Sequence, residues 1–203
     1  MPSPLSPDAR CRWCGDDPLY TTYHDTEWGF PVGEDRRLFE KICLEGFQSG
    51  LSWITILRKR EAFREAFADF EVERVVRMGA RDVTCLLGNA AIVRHRGKIE
   101  STINNAGRAR ELADECGSLA AYFWRWEPKG ASRPRKLTRA VLSTFRTSPE
   151  SVALAKDLKR RGWSFVGPTT VYAFMQAMGL VNDHEHDCAT RKRVTEARAI
   201  FRP

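Results

Sequence analysis

Residues 38–53 read LFEKICLEGFQSGLSW, and the fold and function of the chain both turn on how this stretch is placed. Leu38, Ile42 and Glu45 recur at i, i+4 and i+7, which puts them on one side of a helix, with Asp35 as its expected N-cap. Arg37, Glu40 and Lys41 are expected on the wet side. Glu45 then lies in the apolar stripe, where an ionised carboxylate is costly unless something pairs with it. Gly46 and Gly50 follow, leaving room for close approach, and Trp53 ends the stretch. A carboxylate beside such an opening and an indole reads as the wall of a pocket. The competing reading is a glutamate that snorkels outward from its helix end.

The chain has 203 residues, enough for one domain with a sizeable core. No apolar run is long enough to cross a bilayer, and the N-terminus MPSPLSPDARC has neither a basic nor an apolar signal region. A soluble intracellular chain is the expectation, with no membrane partner. The net charge of +7 suits a polyanionic partner. The cations gather at 58–60, 94–98, 133–139, 156–161 and 191–198.

Residues 1–10 hold three prolines and read as a loose lead-in. The aromatic-rich section from Cys11 to about Gly29 lacks periodicity and reads as irregular structure packed over something else. From Asp35 onward the pattern is helical. Phe63, Ala66, Phe67 and Phe70 form a stripe. Two short helices are expected on either side of Gly79, a longer one from about Lys98 to Cys116, stopped by Gly117, and another capped by Ser118. Residues 128–134 form a basic Gly/Pro loop. Ser148-Pro149 opens a helix with Val152, Ala155 and Leu158 inward, and Gly162 ends it. Gly167-Pro168 opens another, with Val171, Phe174, Met175 and Met178 inward, closed by Gly179. The class is all-α. Two helices joined through Val166-Gly167-Pro168 suggest a helix–hairpin–helix, whose turn offers backbone N–H groups to a DNA phosphate. An ordinary helical hairpin fits the same pattern.

Six cysteines, at 11, 14, 43, 85, 116 and 188, form no disulfide framework in a chain of this kind. Cys43, Cys85 and Cys116 fall in helical patterns and read as buried apolar residues. Cys11, with His24, and His184, with Cys188, supply two thiolates and two imidazoles, enough for a tetrahedral zinc site stapling the N-terminal section to the C-terminal end. Cys14 and His186 are rival ligands.

Several strings, in order, resemble the bacterial 3-methyladenine DNA glycosylase I family. They are Asp17-Pro18-Leu19-Tyr20, Tyr23-His24-Asp25, Glu27-Trp28-Gly29, Ile42 to Gly46, Gly50 to Ile54, Arg94 to Ile99, Lys159 to Gly162, Phe165-Val166-Gly167 and Gly179 to His184. The resemblance covers roughly residues 10–188. It implies a helix–hairpin–helix DNA glycosylase fold with a small zinc-stapled lobe formed by the two ends of the chain. The lobe takes residues 11–34 and 180–188, the helical core takes 35–179, and a basic tail takes 189–203. The implied zinc ligands are Cys11, His24, His184 and Cys188, in a structural role. Glu45 is implied as the pocket carboxylate, with Tyr23 and Trp53 as aromatic walls and Trp13, Tyr20 and Trp28 nearby. Val166, Gly167 and Pro168, with Arg96 and Lys98, are implied to contact DNA.

The implied activity is base-excision repair: a cytoplasmic monomer flips 3-methyladenine out of alkylated double-stranded DNA and releases it hydrolytically, without a strand-nicking lyase step. Asp183 reads as a cap or as a partner orienting His184. The alternative is a non-catalytic, zinc-stapled helix–hairpin–helix module that binds DNA alone. A carboxylate in an aromatic cleft separates the two, because a backbone-binding module needs none.

Overall fold

The computed structural model describes residues 10–129, 133–134 and 136–203; residues 1–9 of the lead-in and part of the basic Gly/Pro loop lie outside them. The described elements are all helical. They are α1 (Pro18–Thr26), α2 (Asp35–Gln48), α3 (Trp53–Arg58), α4 (Arg60–Ala66), α5 (Val72–Val75), α6 (Ala80–Gly88), α7 (Arg96–Cys116), α8 (Leu119–Phe123), α9 (Arg139–Leu142), α10 (Pro149–Arg160), α11 (Pro168–Ala177) and α12 (Ala189–Ile200).

Helix α2 is the axis of the molecule. It packs against α3, α7, α8 and α11, and every residue from Leu38 to Phe47 is buried. Glu40 and Lys41 are therefore not on a wet face as their residue types suggested; Arg37 alone of the three is exposed. Glu40 is reached by Arg64 at 2.9 Å. Asp35 is the first helical residue rather than the N-cap, a position taken by Glu34. The Asp35 carboxylate instead accepts from the backbone N–H groups of Leu119 and Ala120, both at 2.9 Å, and so caps α8 together with Ser118.

The aromatic N-terminal section is not irregular throughout. Asp17 accepts from Leu19 and Tyr20 N–H, Pro18 occupies the first turn, and α1 follows. The phenylalanine stripe is split by a tight 3-10 turn at Ala68–Phe70 with positive φ, yet Phe63, Phe67 and Phe70 are all fully buried. On α10 the inward positions are Ser151, Leu154, Ala155 and Leu158, while Val152 is exposed. Cys43 is buried as expected, but Cys85 is exposed and Cys116 half-buried.

Helices α10 and α11 pack on each other and are joined by residues 161–167. Side chains of α7 hold this turn. Asn104 donates to Gly162 O at 2.8 Å, and Asn105 both donates to Ser164 O and accepts from Ser164 N at 3.0 Å. Ala189–Ile200 folds as α12, whose Val194 is fully buried, and Phe201 just beyond it packs on Trp124 with ring centroids 4.6 Å apart.

Two glycines report on close packing. Both Gly50 and Gly179 have positive φ, but a Cβ at Gly50 meets open space, whereas one at Gly179 meets Phe30 and Pro31 backbone atoms at 2.6 Å. Gly179→Ala is expected to lower stability by about 3 kcal/mol or more, since backbone atoms cannot step aside. Gly50→Ala carries the dihedral strain alone, about 1–2 kcal/mol. Urea melts of the two variants check the difference.

Candidate functional site

A cavity of about 410 Å³ opens between α1, α2, α9, α11 and the loop before α12, within the usual size of ligand pockets, roughly 300–1,000 Å³. The five aromatics expected at the site, Trp13, Tyr20, Tyr23, Trp28 and Trp53, all line it, as does Glu45. Tyr23 and Trp53 are buried, with ring centroids 5.5 Å apart. Trp13 is the exposed member and meets both Tyr20 and Trp28 edge-on at 4.9 Å. Glu45 does not snorkel outward. It is 5% exposed, with Oε1 2.7 Å from Lys41 Nζ, and Oε2 has no hydrogen-bond partner among the described residues.

Lys41 is the lining residue that the sequence reading set on the wet face instead. Its ammonium donates to Tyr23 Oη at 2.9 Å and lies 3.1 Å from the centre of the Trp53 ring. The available signal was its i,i+4 relation to Glu45, which places both on one face of α2. Burial pushes the Lys41 pKa down to about 8, against the opposing pull of Glu45. Burial likewise raises the Glu45 carboxyl, against the stabilising ammonium.

Asp183 is buried but has a different place from the one expected. It accepts from Tyr172 Oη at 2.6 Å and Gln176 Nε2 at 2.9 Å, pairs with Arg133, and lines the cavity wall. The backbone N–H of His184 is served by Asn182 at 3.3 Å instead.

The residues expected to contact DNA divide. Arg96 is exposed and pairs with Glu100 at 3.2 Å. Lys98 is buried, its ammonium donating to Phe47 O at 2.8 Å and Ser49 O at 2.6 Å, where it satisfies carbonyls at the end of α2. A charge spent in this way cannot face a phosphate. Val166 is fully buried; Gly167 is the N-cap of α11 and Pro168 its first residue.

Cys11, His24, His184 and Cys188 come together from both ends of the chain, with their ligand atoms all within 4.8 Å of one another and all four residues buried. His24 Nε2 and His184 Nδ1 are 3.2 Å apart, Cys188 Sγ lies 3.5 Å from the first and 3.4 Å from the second, and Cys11 Sγ lies 3.6 Å from His184 Nδ1. Tetrahedral ligation at ordinary zinc bond lengths requires roughly 3.3 Å and 3.5 Å for these edges. The outer nitrogens are also held, His24 Nδ1 by Asp25 at 2.8 Å and His184 Nε2 by Trp28 O at 3.0 Å. The donor set fits a metal ion. Cys14 turns its sulfur to Cys11 O at 3.1 Å and His186 is exposed, so neither rival joins the group.

Residues 13–192 match the model of the methyladenine glycosylase family. The chain belongs to this family. Among its relatives, a DNA-3-methyladenine glycosylase of Haemophilus influenzae is 45% identical over 181 residues, covering 88% of this chain and 96% of the relative. DNA-3-methyladenine glycosylase 1 of Escherichia coli is 46% identical over 180 residues, with 88% and 95% covered. A solved 3-methyladenine DNA glycosylase I from Staphylococcus aureus, described for its recognition of 3-methyladenine, superposes with a TM-score of 0.82 at 37% identity, covering 90% of this chain and 96% of that one. The all-helical architecture of this methyladenine glycosylase family member is thus that of its solved relative.

Purified protein is expected to carry one metal ion per chain, read by elemental mass spectrometry. Cys11→Ser and Cys188→Ser should lose the ion and melt at lower temperature, whereas Cys14→Ser should keep it. Metal retained by Cys11→Ser but lost by Cys14→Ser would overturn the ligand set.

Proposed function

We propose that the chain is a monofunctional N-glycosylase that extrudes 3-methyladenine from alkylated double-stranded DNA and hydrolyses its glycosidic bond. The observation that carries this reading is the buried Glu45 Oε2, a hydrogen-bond acceptor inside an aromatic cavity with no partner among the described residues. An unsatisfied buried acceptor is costly to keep, and a ligand N–H relieves it. Adenine alkylated at N3 is cationic while attached to the sugar. The glycosidic electron pair leaves with the base and neutralises it, water adds to the sugar carbon, and the water's proton passes to solvent. The leaving base needs no protonation. The tasks left to the protein are extrusion, orientation and recognition of charge.

In this reading Glu45 Oε2 accepts from the exocyclic N–H of the base, and Tyr23 and Trp53 flank the ring. Cation–π attraction contributes about 0.5–2 kcal/mol per ring for a charged base over a neutral one. Trp13, Tyr20 and Trp28 form the outer part of the cavity. The turn between α10 and α11 acts as a helix–hairpin–helix clamp on one strand, with Gly167 and the first N–H groups of α11 toward phosphate and Arg96 beside them. The four-residue cluster holds zinc, which ties the segment around Cys11 to the one around Cys188 and has no part in hydrolysis. The protein acts as a monomer.

The alternative, a DNA-coating module without catalysis, leaves the Glu45 cavity without a purpose. Release of free 3-methyladenine from methylated duplex DNA, followed by chromatography, decides between them. Glu45→Ala is expected to lower excision at least about a hundredfold while duplex affinity stays within about threefold, because phosphate contacts supply most of that affinity. Weakened duplex binding with unchanged turnover would remove Glu45 from the recognition role.

A further inference from the structure

The cage around Glu45 already holds a cation. Lys41 Nζ sits 2.7 Å from Glu45 Oε1, 2.9 Å from Tyr23 Oη and 3.1 Å from the Trp53 ring centre. A carboxylate, a phenol oxygen and an indole face are also the groups a cationic purine would use. Behind this cage Arg60 pairs with Glu27 at 2.6 Å and Arg64 with Glu40 at 2.9 Å, with the exposed Arg37 beside them, and the cavity lining also carries Arg12 and Arg139 together with Asp183 and Glu185. Glu45 is the carboxylate that Lys41 itself engages, and with a protonated Lys41 the pair is neutral. A second cation brought against the same carboxylate meets like-charge repulsion in a poorly screened space.

We propose that Lys41 is the charge-balancing residue of this cavity: its ammonium occupies the Glu45–Trp53 cage in the resting protein and gives up one proton when the cationic base enters. The inference rests on reading the cavity as the site of a cationic base. One N–H bond of the ammonium breaks, the proton passes to solvent, and the lone pair stays on Nζ, to which the Tyr23 hydroxyl can donate. Glu45 then faces a single positive charge before and after binding. Burial has already brought Lys41 down to about 8, so the release is accessible near neutral pH. Lys41 is a positioning and selectivity group here and makes no covalent bond to the sugar.

The test is kcat/KM for 3-methyladenine release from methylated duplex DNA between pH 6 and 10. For the wild-type chain it should climb at least fivefold, with its midpoint near pH 8 and a plateau above about pH 9. Lys41→Met, which has no proton to lose, should be flat across the range and at least fivefold faster than wild type at pH 6.5. Lys41→Arg, a permanent cation, should stay slow throughout. Affinity for free 3-methyladenine, a neutral base, should not follow the wild-type rise. A wild-type rate that falls through pH 8, or parallel profiles for wild type and Lys41→Met, would overturn the proposal. So would a borohydride-trapped covalent adduct with DNA that Lys41→Met abolishes, since Lys41 would then be a nucleophile. If Lys41→Met fails to fold, the wild-type and Lys41→Arg profiles still decide. Absence of base release by the wild-type chain at every pH would instead sink the glycosylase reading.

Discussion

A helix enclosed on all sides has no wet face on which to put a charge, and α2 carries three charged residues within its buried span. Each of Glu40, Lys41 and Glu45 therefore needs a partner supplied by another residue. Glu40 finds one in Arg64, while Lys41 and Glu45 find each other and leave one carboxylate oxygen unserved. Buried ion pairs are poor devices for stability, because desolvation offsets most of the attraction and apolar residues of similar volume hold a helix as well. A pair kept at the wall of a cavity, with an acceptor to spare, makes more sense as a ligand-recognition device than as part of the framework. The packing of α2 and the specificity of the cavity thus share one origin.

The helix ends could be read from the sequence because their grammar is local. Ser118, Ser148-Pro149, Gly117, Gly162 and Gly179 all act within one turn of where they stand in the chain. Several misreadings concern side chains whose partners are far away in sequence. Asp35 looks like a cap for its own helix but serves α8, eighty-four residues on. Lys98 belongs to a basic string that suits phosphate, yet its ammonium is consumed by carbonyls from Phe47 and Ser49. Lys41 was placed in water on residue type, although its spacing from Glu45 put the two on one face; a lysine with three buried partners has no signature in composition. The cavity aromatics and Glu45 were legible through a family resemblance that covers most of the chain. Spacing alone could not separate Cys11 from Cys14, a choice made by the short 3-10 turn that directs the second sulfur to a backbone carbonyl.

The Cys11–His24–His184–Cys188 cluster and the cavity are parts of one construction. His184 meets the Trp28 ring at 4.7 Å, and His24 meets Trp13 at 5.4 Å, so imidazoles whose inner nitrogens face the cluster have their rings against aromatics that line the cavity. Trp28 O and Asp25 hold the outer nitrogens. Fixing the histidines therefore fixes the outer aromatics, although they belong to a segment with little core of its own. Helix α12 reinforces the arrangement from behind, with Val194 in contact range of Gly29 and Arg191 donating to His184 O at 2.7 Å.

On the proposed function, selectivity for a damaged base would place a further demand on this geometry. Ordinary adenine carries the same exocyclic N–H as its alkylated form, so the hydrogen bond proposed for Glu45 would not by itself tell them apart. The distinguishing property is charge, and charge is sensed by the carboxylate and the ring faces together. A permanent ammonium against that carboxylate would cancel the field by which the two bases differ. A buried lysine whose proton is loosely held avoids the conflict. In the resting state it neutralises a carboxylate that would otherwise lie unpaired in apolar surroundings, and it can withdraw that charge when a cation of the right shape arrives. A neutral purine gives no reason for the proton to leave, so the carboxylate remains engaged by the lysine and the base finds a weaker partner.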